Sequence, residues 1–145
     1  MDVVSKEKRS KMMSNIRGKN TKPEILMRKY LFSLGYRFRI HRKDLPGKPD
    51  IVLPKYKTVI FIHGCFWHQH PDCKDAVMPK SNTEFWENKL KKNIERDTIY
   101  MIQLQKAGWN VRVIWECEVK HIIKQRMNPI VTNICLGKVA NHEFQ

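Results

Sequence analysis

Acidic residues and long apolar segments are both scarce in this chain of 145 residues. Only 14 Asp and Glu stand against 28 Lys and Arg, which gives a formal net charge of +14. No apolar run approaches the roughly 18 to 20 residues that would span a bilayer. The N-terminus also lacks the apolar segment of a secretory signal. We therefore expect a cytosolic protein, and the 41% of hydrophobic residues excludes wholesale disorder.

Internal repeats, low-complexity tracts and Gly/Ser-rich linkers are absent from the sequence as well. A chain of this length has room for one compact hydrophobic core and little else. We therefore predict a single domain over residues 1–145. Its parts are a basic arm over 1–19, a core over 20–120 and a helical tail over 121–145.

What the chain does have is positive charge, which bears on its partners rather than on its fold. A nucleic acid is the leading candidate. A membrane surface is the weaker alternative, since the basic residues are not confined to one amphipathic helix. In the arm, Arg9 and Lys11 are candidates for DNA binding. Met13 and Ile16 could wedge into a minor groove, and a frayed, solvated tail is the alternative.

Short-range patterns predict an α/β fold. Thr21 to Glu24 form a capping box, which predicts a helix over 22–34 ended by Gly35. Apolar patterning predicts a half-buried strand at 36–40, a hairpin of strands at 50–53 and 58–62, a helix from 82 or 83 to 107, a strand at 109–115 and a weakly helical tail. The continuously apolar run at 58–62 is expected to be a central strand. This order predicts a two- or three-layer α/β protein.

Cysteine and histidine are concentrated between residues 63 and 82. Cys65, His70 and Cys73 lie within nine residues, and Cys117 follows the end of the last predicted strand. Three cysteines and one histidine suit zinc in a closed, structural site. The ends of two paired strands could bring residues 65 and 117 together. Buried free thiols are the alternative, and Cys135, in an apolar run, is expected in the core.

A second group of residues fits metal-assisted hydrolysis. Asp50 begins a strand, where an acid can bind a hard cation such as Mg²⁺, although Pro-Asp pairs are also common in turns. His63 and His68 follow the neighbouring strand, so that a cation could polarise a phosphodiester while a histidine moves protons. Glu24 either caps its helix or reaches the metal through water. Asp97 either orients a histidine or lies on a solvated helix face.

Adjacent aromatic residues occur in a polar, basic setting. Phe66 and Trp67 suit stacking on bases or wedging between them, and packing around the zinc site is the alternative. Trp86, with apolar residues four and eight positions later, has the spacing of a core stripe, although it lies near the same loop. Trp109 and Trp115 are expected to be core residues of the last strand.

These motifs together resemble those of the very-short-patch repair (Vsr-type) DNA mismatch endonucleases. The likeness covers residues 8–120. It rests on the segments Gly47-Lys48-Pro49-Asp50, His63-Gly64-Cys65-Phe66-Trp67-His68 with His70 and Cys73, Thr83-Glu84-Phe85-Trp86, Asn93-Ile94-Glu95-Arg96-Asp97, and Gly108-Trp109 through Trp115-Glu116-Cys117.

The resemblance implies a restriction-endonuclease-like fold, a mixed β-sheet flanked by helices, with a structural zinc site. It implies a monomeric, Mg²⁺-dependent enzyme that nicks duplex DNA 5′ to the thymine of a T:G mismatch. Such mismatches arise from deamination of 5-methylcytosine, so that nicking would start very short patch repair. Mismatch-repair proteins and a companion cytosine-5 methyltransferase system are the implied partners, in the bacterial cytoplasm at the nucleoid.

The resemblance also implies roles for individual residues of the catalytic core. Asp50 would bind Mg²⁺ together with the main-chain carbonyl of Ile62. His68 would transfer protons, His63 would contact phosphate or water, and Glu24 and Asp97 would be supporting acids. The remaining implied residues are the zinc ligands Cys65, His70, Cys73 and Cys117, the major-groove wedge Phe66, Trp67 and Trp86, and the minor-groove wedge Met13 and Ile16.

Two other functions stay open from the residues alone. One is a non-catalytic DNA-binding module that zinc holds together. The other is a nuclease of the same fold that acts on other nucleic-acid structures. Loss of nicking with retained DNA binding in an Asp50→Ala variant would separate the enzyme from the binding module.

Overall fold

A three-stranded mixed sheet lies between helices in the computed structural model, which describes residues 20–131. The elements in chain order are α1 (Lys22–Ser33), β1 (Ile51–Leu53), β2 (Thr58–His63), α2 (Thr83–Lys106), β3 (Asn110–Trp115) and α3 (Glu116–Lys124). Short 3-10 helices occupy Pro54–Tyr56 and Lys74–Ala76. Among residues 20–131, no helix is long and apolar enough to cross a membrane. The predicted small α/β architecture is confirmed.

Strand β2 is the centre of the sheet, as its continuously apolar sequence predicts. It pairs with β1 in the antiparallel sense and with β3 in the parallel sense, from Thr58 beside Asn110 to His63 beside Trp115. All of its residues except Ile62 are buried. Because β2 and β3 are parallel, both end at the same edge of the sheet. The segments that follow them meet there.

Alternate side chains of β2 pack into two apolar cores, one on each face of the sheet. Ile60 belongs to the core that α1 and α3 cover, which is made of Met27, Leu31, Ile51, Leu53, Ile60, Ile114, Val119, Ile122 and Ile130. On the other face, Val59 and Phe61 pack with Val52 and with Leu104 of α2. The helices therefore form the outer layers of a three-layer structure, with α2 alone on the face that Phe61 occupies.

The strand predicted at residues 36–40 is wrong. Only Arg39 pairs with the sheet, through two backbone hydrogen bonds with Val52 of 2.8 and 2.9 Å. Two features limit the pairing to one bridge. β1 is only three residues long, and His41 has a left-handed backbone with φ of 57°, which turns the chain away from an extended path.

The other predicted elements are confirmed, with small shifts at their ends. Helix α1 begins behind the predicted cap, where the Glu24 carboxylate accepts the Thr21 N–H at 2.8 Å. A helix covers Glu116–Lys124, so only the first four residues of the tail predicted over 121–145 are helical; residues 125–131 are not, and the rest of the tail lies outside the described residues. The arm residues Arg9, Lys11, Met13 and Ile16, and likewise Cys135, lie outside the described residues.

Candidate active site

A cleft of about 840 Å³ opens at the sheet edge where β2 ends. Its walls combine the start of α1, the turn before β1, the end of β2 and the middle of α2. All five predicted catalytic residues line it, namely Glu24, Asp50, His63, His68 and Asp97, and so does Ile62. Residues that lie up to 73 positions apart in the sequence are thus brought to one site.

Two carboxyl groups form one wall of the cleft. Asp50 accepts the backbone N–H of Ile62 at 2.6 Å. Burial, and then the adjacent Glu24 with which it shares a hydrogen bond, raise the pKa of Asp50 to about 8. Burial also acts to raise the pKa of Glu24, but the hydrogen bonds from Thr21 outweigh it and lower that pKa overall. The pair therefore holds a proton at neutral pH, mainly on Asp50.

Glu24 caps α1, one of the two roles predicted for it, and it also lines the cleft. Its Oε2 caps α1 by accepting from the backbone and the hydroxyl of Thr21, at 2.8 and 2.7 Å. Its Oε1 lies 3.5 Å from a guanidinium nitrogen of Arg28, one turn further along the helix. The capping contacts fix the carboxylate where it lines the cleft beside Asp50. Arg28, which sequence reasoning missed, adds a positive charge behind the acid pair.

Two histidines form the opposite wall and stack on each other. The rings of His63 and His68 have centroids 3.9 Å apart and are nearly parallel, at 5°. His68 donates through Nδ1 to Asp97 Oδ2 at 2.5 Å, so the Asp97 carboxylate faces the histidine rather than open solvent. Because a carboxylate only accepts, Nε2 of His68 is the nitrogen that can exchange a proton with substrate or water. Burial, and then the neighbouring His68, hold the pKa of His63 well below its ordinary value.

The four predicted zinc ligands come together beyond the ends of β2 and β3. The donor atoms of Cys65, His70, Cys73 and Cys117 all lie within 4.8 Å of one another. His70 Nδ1 is 3.7 Å from the sulfur of Cys65 and 3.4 Å from that of Cys117. The sulfurs of Cys73 and Cys117 are 4.0 Å apart. We call this group the Cys–His cluster.

The spacing and chemistry of the Cys–His cluster fit zinc. Four donors about 2.0 to 2.3 Å from a tetrahedral ion lie about 3.5 to 3.8 Å from each other, close to the separations observed. Burial is the main cause that raises the pKa of the Cys65 thiol and also that of Cys117. Without a cation these thiols stay protonated, so a bound zinc would hold them as thiolates. Four protein donors would complete a tetrahedral zinc site and leave no coordination position open, which favours a structural role.

An aromatic cluster borders the cleft on the side of the 64–69 loop. The ring centroids of Phe66, Trp67 and Trp86 lie between 5.1 and 5.9 Å apart. All three side chains are partly exposed, and Trp67 lines the cleft. The core stripe that was the alternative for Trp86 is confirmed only at Leu90, which is buried, because Ile94 is 43% exposed and Trp86 itself is partly exposed. The α2 residue Asn93 supports the loop by donating to the Trp67 carbonyl at 3.2 Å.

Several residues of the cleft were missed by sequence reasoning. Lys43, Lys48 and Arg96 supply positive charge around the acid pair. Lys48 and Arg96 belong to the Gly47-Lys48-Pro49-Asp50 and Asn93-Ile94-Glu95-Arg96-Asp97 motifs, which was the available signal, whereas nothing distinguishes Lys43 in a chain so rich in Lys and Arg. Phe85, 59% exposed, extends the aromatic cluster through Trp86 at 5.3 Å. Its place in the Thr83-Glu84-Phe85-Trp86 motif was the available signal.

Trp109 and Trp115 also differ from the prediction that both are core residues of the last strand. Trp109 precedes β3 and is partly buried; it packs against the core of Val59 and Phe61, and the ammonium of Lys57 is 4.4 Å from its ring. Trp115 is the last residue of β3 and lies between His63 and His70. Strand periodicity identified neither environment, because it predicts on which face of the sheet a residue lies and not which residues surround it.

The cleft as a whole is suited to hydrolysis of a phosphodiester. An acid pair can hold a hard cation, an Asp-oriented histidine can move a proton, and lysine and arginine can contact phosphate. These features and the excess positive charge of the chain define the class of the protein. The fold and the site are those of an enzyme that hydrolyses nucleic acid.

Comparison with known proteins specifies that class. A family model described as DNA mismatch endonuclease Vsr matches residues 1–75. The type II nicking enzyme V.NmeAIP of Neisseria meningitidis is 51% identical over 135 residues, which cover 92% of this chain and 96% of that protein. The DNA mismatch endonuclease Vsr of Escherichia coli is 43% identical over 119 residues, which cover 82% and 76% respectively. The chain belongs to the Vsr family and is an endodeoxyribonuclease.

Proposed function

We propose that the protein is a Mg²⁺-dependent mismatch endonuclease that nicks duplex DNA 5′ to the thymine of a T:G pair. The observation that carries the proposal is the single cleft in which Asp50, Glu24 and the His68–Asp97 pair meet, with Trp67 at its border. The enzyme has a restriction-endonuclease-like fold and acts as a monomer. It starts very short patch repair at the bacterial nucleoid, alongside mismatch-repair proteins and a cytosine-5 methyltransferase.

Asp50 and the main-chain carbonyl of Ile62 are the residues that would hold Mg²⁺, with Glu24 reaching it through water. The donor set fits, because Mg²⁺ takes oxygen ligands and keeps several waters. The buried acid pair supports this assignment of Mg²⁺ ligands. The two carboxyl groups share a proton because the protein does not neutralise two negative charges there, and a cation could take the place of that proton. When bound, the cation would stabilise the charge that develops on the phosphate.

The histidines supply proton transfer. A water attacks phosphorus, the bond to the leaving oxygen breaks, and one proton must leave the water while another reaches the leaving oxygen. Nε2 of His68 is the group that moves such a proton, because Asp97 occupies Nδ1 and fixes the ring. His63 stays neutral at physiological pH, since burial depresses its pKa, and it contacts phosphate or water.

The aromatic cluster supports recognition of a distorted base pair. Phe66, Trp67 and Trp86 are adjacent, partly exposed rings beside a phosphodiester site. Aromatic or apolar side chains inserted between bases unstack them, at a cost that is smaller where pairing is already weak. A T:G pair is easier to distort than a matched pair, so insertion of the aromatic cluster favours a T:G pair.

A panel of three oligonucleotides tests the substrate. We expect a T:G duplex to be nicked at least roughly 100-fold faster than a matched duplex or a single strand, because the matched duplex resists distortion. Denaturing gels with each strand labelled measure the rate and locate the nick. Varying the flanking bases in the same assay gives the sequence context. Equal cleavage of all three substrates would contradict mismatch specificity while leaving a nuclease.

The Trp86→Ala variant tests the role of the aromatic cluster on the same three oligonucleotides. Loss of base–aromatic stacking should slow nicking of the T:G duplex about 5- to 100-fold and leave the slow cleavage of matched DNA unchanged. Phe32→Ala is the matched control, because Phe32 is an exposed ring on α1 outside the aromatic cluster. Equal slowing on both duplexes would assign Trp86 to general DNA binding instead.

Mg²⁺ binding should be linked to a proton. The pKa of Asp50 is raised to about 8, so below this pH a proton must leave when the cation binds. Affinity for Mg²⁺ should therefore increase about tenfold per pH unit from 6 to 7 and level off above 8. The amide resonance of Ile62, which donates to Asp50, reports binding in NMR titrations.

Asp44→Asn is the matched control for this linkage, because Asp44 is an exposed acid paired with Arg42. It should leave the pH dependence intact, whereas Asp50→Asn should remove Mg²⁺ binding. An affinity for Mg²⁺ that is constant between pH 6 and pH 8 would show that Mg²⁺ does not displace a proton from Asp50.

A further inference from the structure

Trp115 has a distinctive position in the sheet. It is the last residue of β3, and the parallel register places it beside His63, the last residue of β2. Two residues further on, Cys117 belongs to the Cys–His cluster. Trp115 therefore lies at the point where the catalytic cleft and the cluster adjoin.

The ring of Trp115 contacts a histidine of each site. It stacks on His70 of the Cys–His cluster, with centroids 4.2 Å apart and an interplanar angle of 10°. It meets His63 edge to face, at 5.2 Å and 72°. His63 in turn stacks on His68 at 3.9 Å. We call the series His70, Trp115, His63 and His68 the ring column.

Both ends of the ring column are fixed by polar contacts. At one end, His70 directs Nδ1 towards the sulfurs of Cys65 and Cys117. At the other end, Asp97 accepts from His68 at 2.5 Å. The ring contacts of His63 in between are with Phe61, Trp115 and His68. Its orientation thus depends on the rings beside it.

The backbone of Trp115 is held as firmly as its side chain. Its N–H donates to the carboxylate of Glu118 at 3.1 Å, which anchors the residue at the start of α3. Glu116, the next residue, accepts the N–H of Cys65 at 3.1 Å and so ties the same turn to the 64–69 loop. A shift of this turn would move the cluster and the ring column together.

We propose that Trp115 is a positioning residue that transmits the order of the Cys–His cluster to the catalytic pair His63 and His68. The inference rests on the proposed function of these two histidines. Aromatic rings in contact prefer offset-stacked or edge-to-face arrangements. A rigid indole held against His70 therefore restricts His63 to the orientation that keeps its stack on His68.

Substitutions of Trp115 test this proposal in the zinc-loaded enzyme. Trp115→Leu removes both ring contacts, and we expect kcat to fall about 10- to 100-fold with little change in KM, because misplaced catalytic groups slow the chemical step. Trp115→Phe keeps a smaller aromatic ring, and its kcat should fall only about threefold. Trp109→Leu is the matched control, since Trp109 lies at the opposite end of the strand, and it should keep the wild-type kcat.

Imidazole resonances of His63 and His68 give a readout that is independent of turnover. In Trp115→Leu both should shift, whereas in Trp109→Leu they should match those of the wild type. Zinc content and melting temperature are measured for each variant. If Trp115→Leu does not fold, Trp115→Phe decides, and wild-type kcat with wild-type His63 resonances in that variant would overturn the proposal.

A His68→Ala variant in the same assay separates this inference from the proposed function. If His68→Ala nicks at the wild-type rate, the proposed role of the histidines fails. If His68→Ala is inactive while Trp115→Leu keeps wild-type kcat and resonances, only the role of Trp115 fails. A rise in KM with unchanged kcat in Trp115→Leu would likewise count against positioning, because it would assign the residue to DNA binding.

Discussion

Asp50→Asn is expected to reduce nicking of a T:G duplex at least about 1000-fold, because it removes the anionic ligand on which metal-assisted hydrolysis depends. The substitution keeps the size of the side chain and its ability to accept the Ile62 N–H, now 2.6 Å from the carboxylate. The amide N–H of the asparagine can donate to Glu24 in place of the proton that the acid pair shares, so the fold should not be weakened. Single-turnover nicking rates at saturating Mg²⁺ measure the effect.

DNA binding by the same variant distinguishes an enzyme from a binding module. We expect Asp50→Asn to bind the T:G duplex about as well as the wild type in Ca²⁺, because phosphate contacts from Lys and Arg dominate affinity. Asp44→Asn, which makes the same side-chain replacement at an exposed position, should retain both nicking and binding. Full nicking by Asp50→Asn would remove Asp50 from the mechanism, and absence of Mg²⁺-dependent nicking by the wild type would favour the binding module.

The parts of the fold that the sequence predicts are those with a strong local signal. The capping box of α1 defines where that helix begins. The uninterrupted apolar run of β2 identifies the central strand, because only a strand buried on both faces tolerates such a run. The strand at 36–40 failed for the opposite reason. Alternation of apolar and basic residues is local, whereas pairing requires a partner, and β1 offers only three residues.

The catalytic and cluster residues could be identified from residue chemistry and resemblance, but their mutual arrangement could not. Spacing alone left Asp97 either solvated or orienting a histidine, and only the packing of α2 against the sheet places it 2.5 Å from His68. In the same way, the sharing of a proton between Glu24 and Asp50 depends on tertiary contact between α1 and the start of β1. No sequence pattern encodes such a distance.

Trp115 illustrates what strand periodicity omits. Alternation assigns a strand residue to a face, and it identified the residue only as part of the core. The register between β2 and β3 decides that its neighbour is His63 rather than an aliphatic side chain. Register between parallel strands is set by long-range packing, so this contact could not be predicted from local sequence.

Cys73→Ser is expected to lower the melting temperature by at least about 10 °C, because a structural zinc site contributes several kcal/mol of folding free energy. The rings of Phe66 and Trp67 in the segment 64–73 stay partly exposed, and the cluster joins this segment to α3 through Cys117. Chelation of the wild type should have the same effect. Calorimetry with zinc analysis measures both, and trypsin should then cut faster at Lys74 and Lys80.

Cys135→Ser is the matched control, since Cys135 is the one cysteine that is not among the four predicted zinc ligands. It should retain one zinc per chain and wild-type resistance to trypsin, whereas Cys73→Ser should lose both. If Cys73→Ser binds zinc normally or melts at the wild-type temperature, the cluster is a set of free thiols. In that case the stacking of Trp115 on His70 would be ordinary core packing, because the imidazole at that end of the ring column would have no fixed anchor.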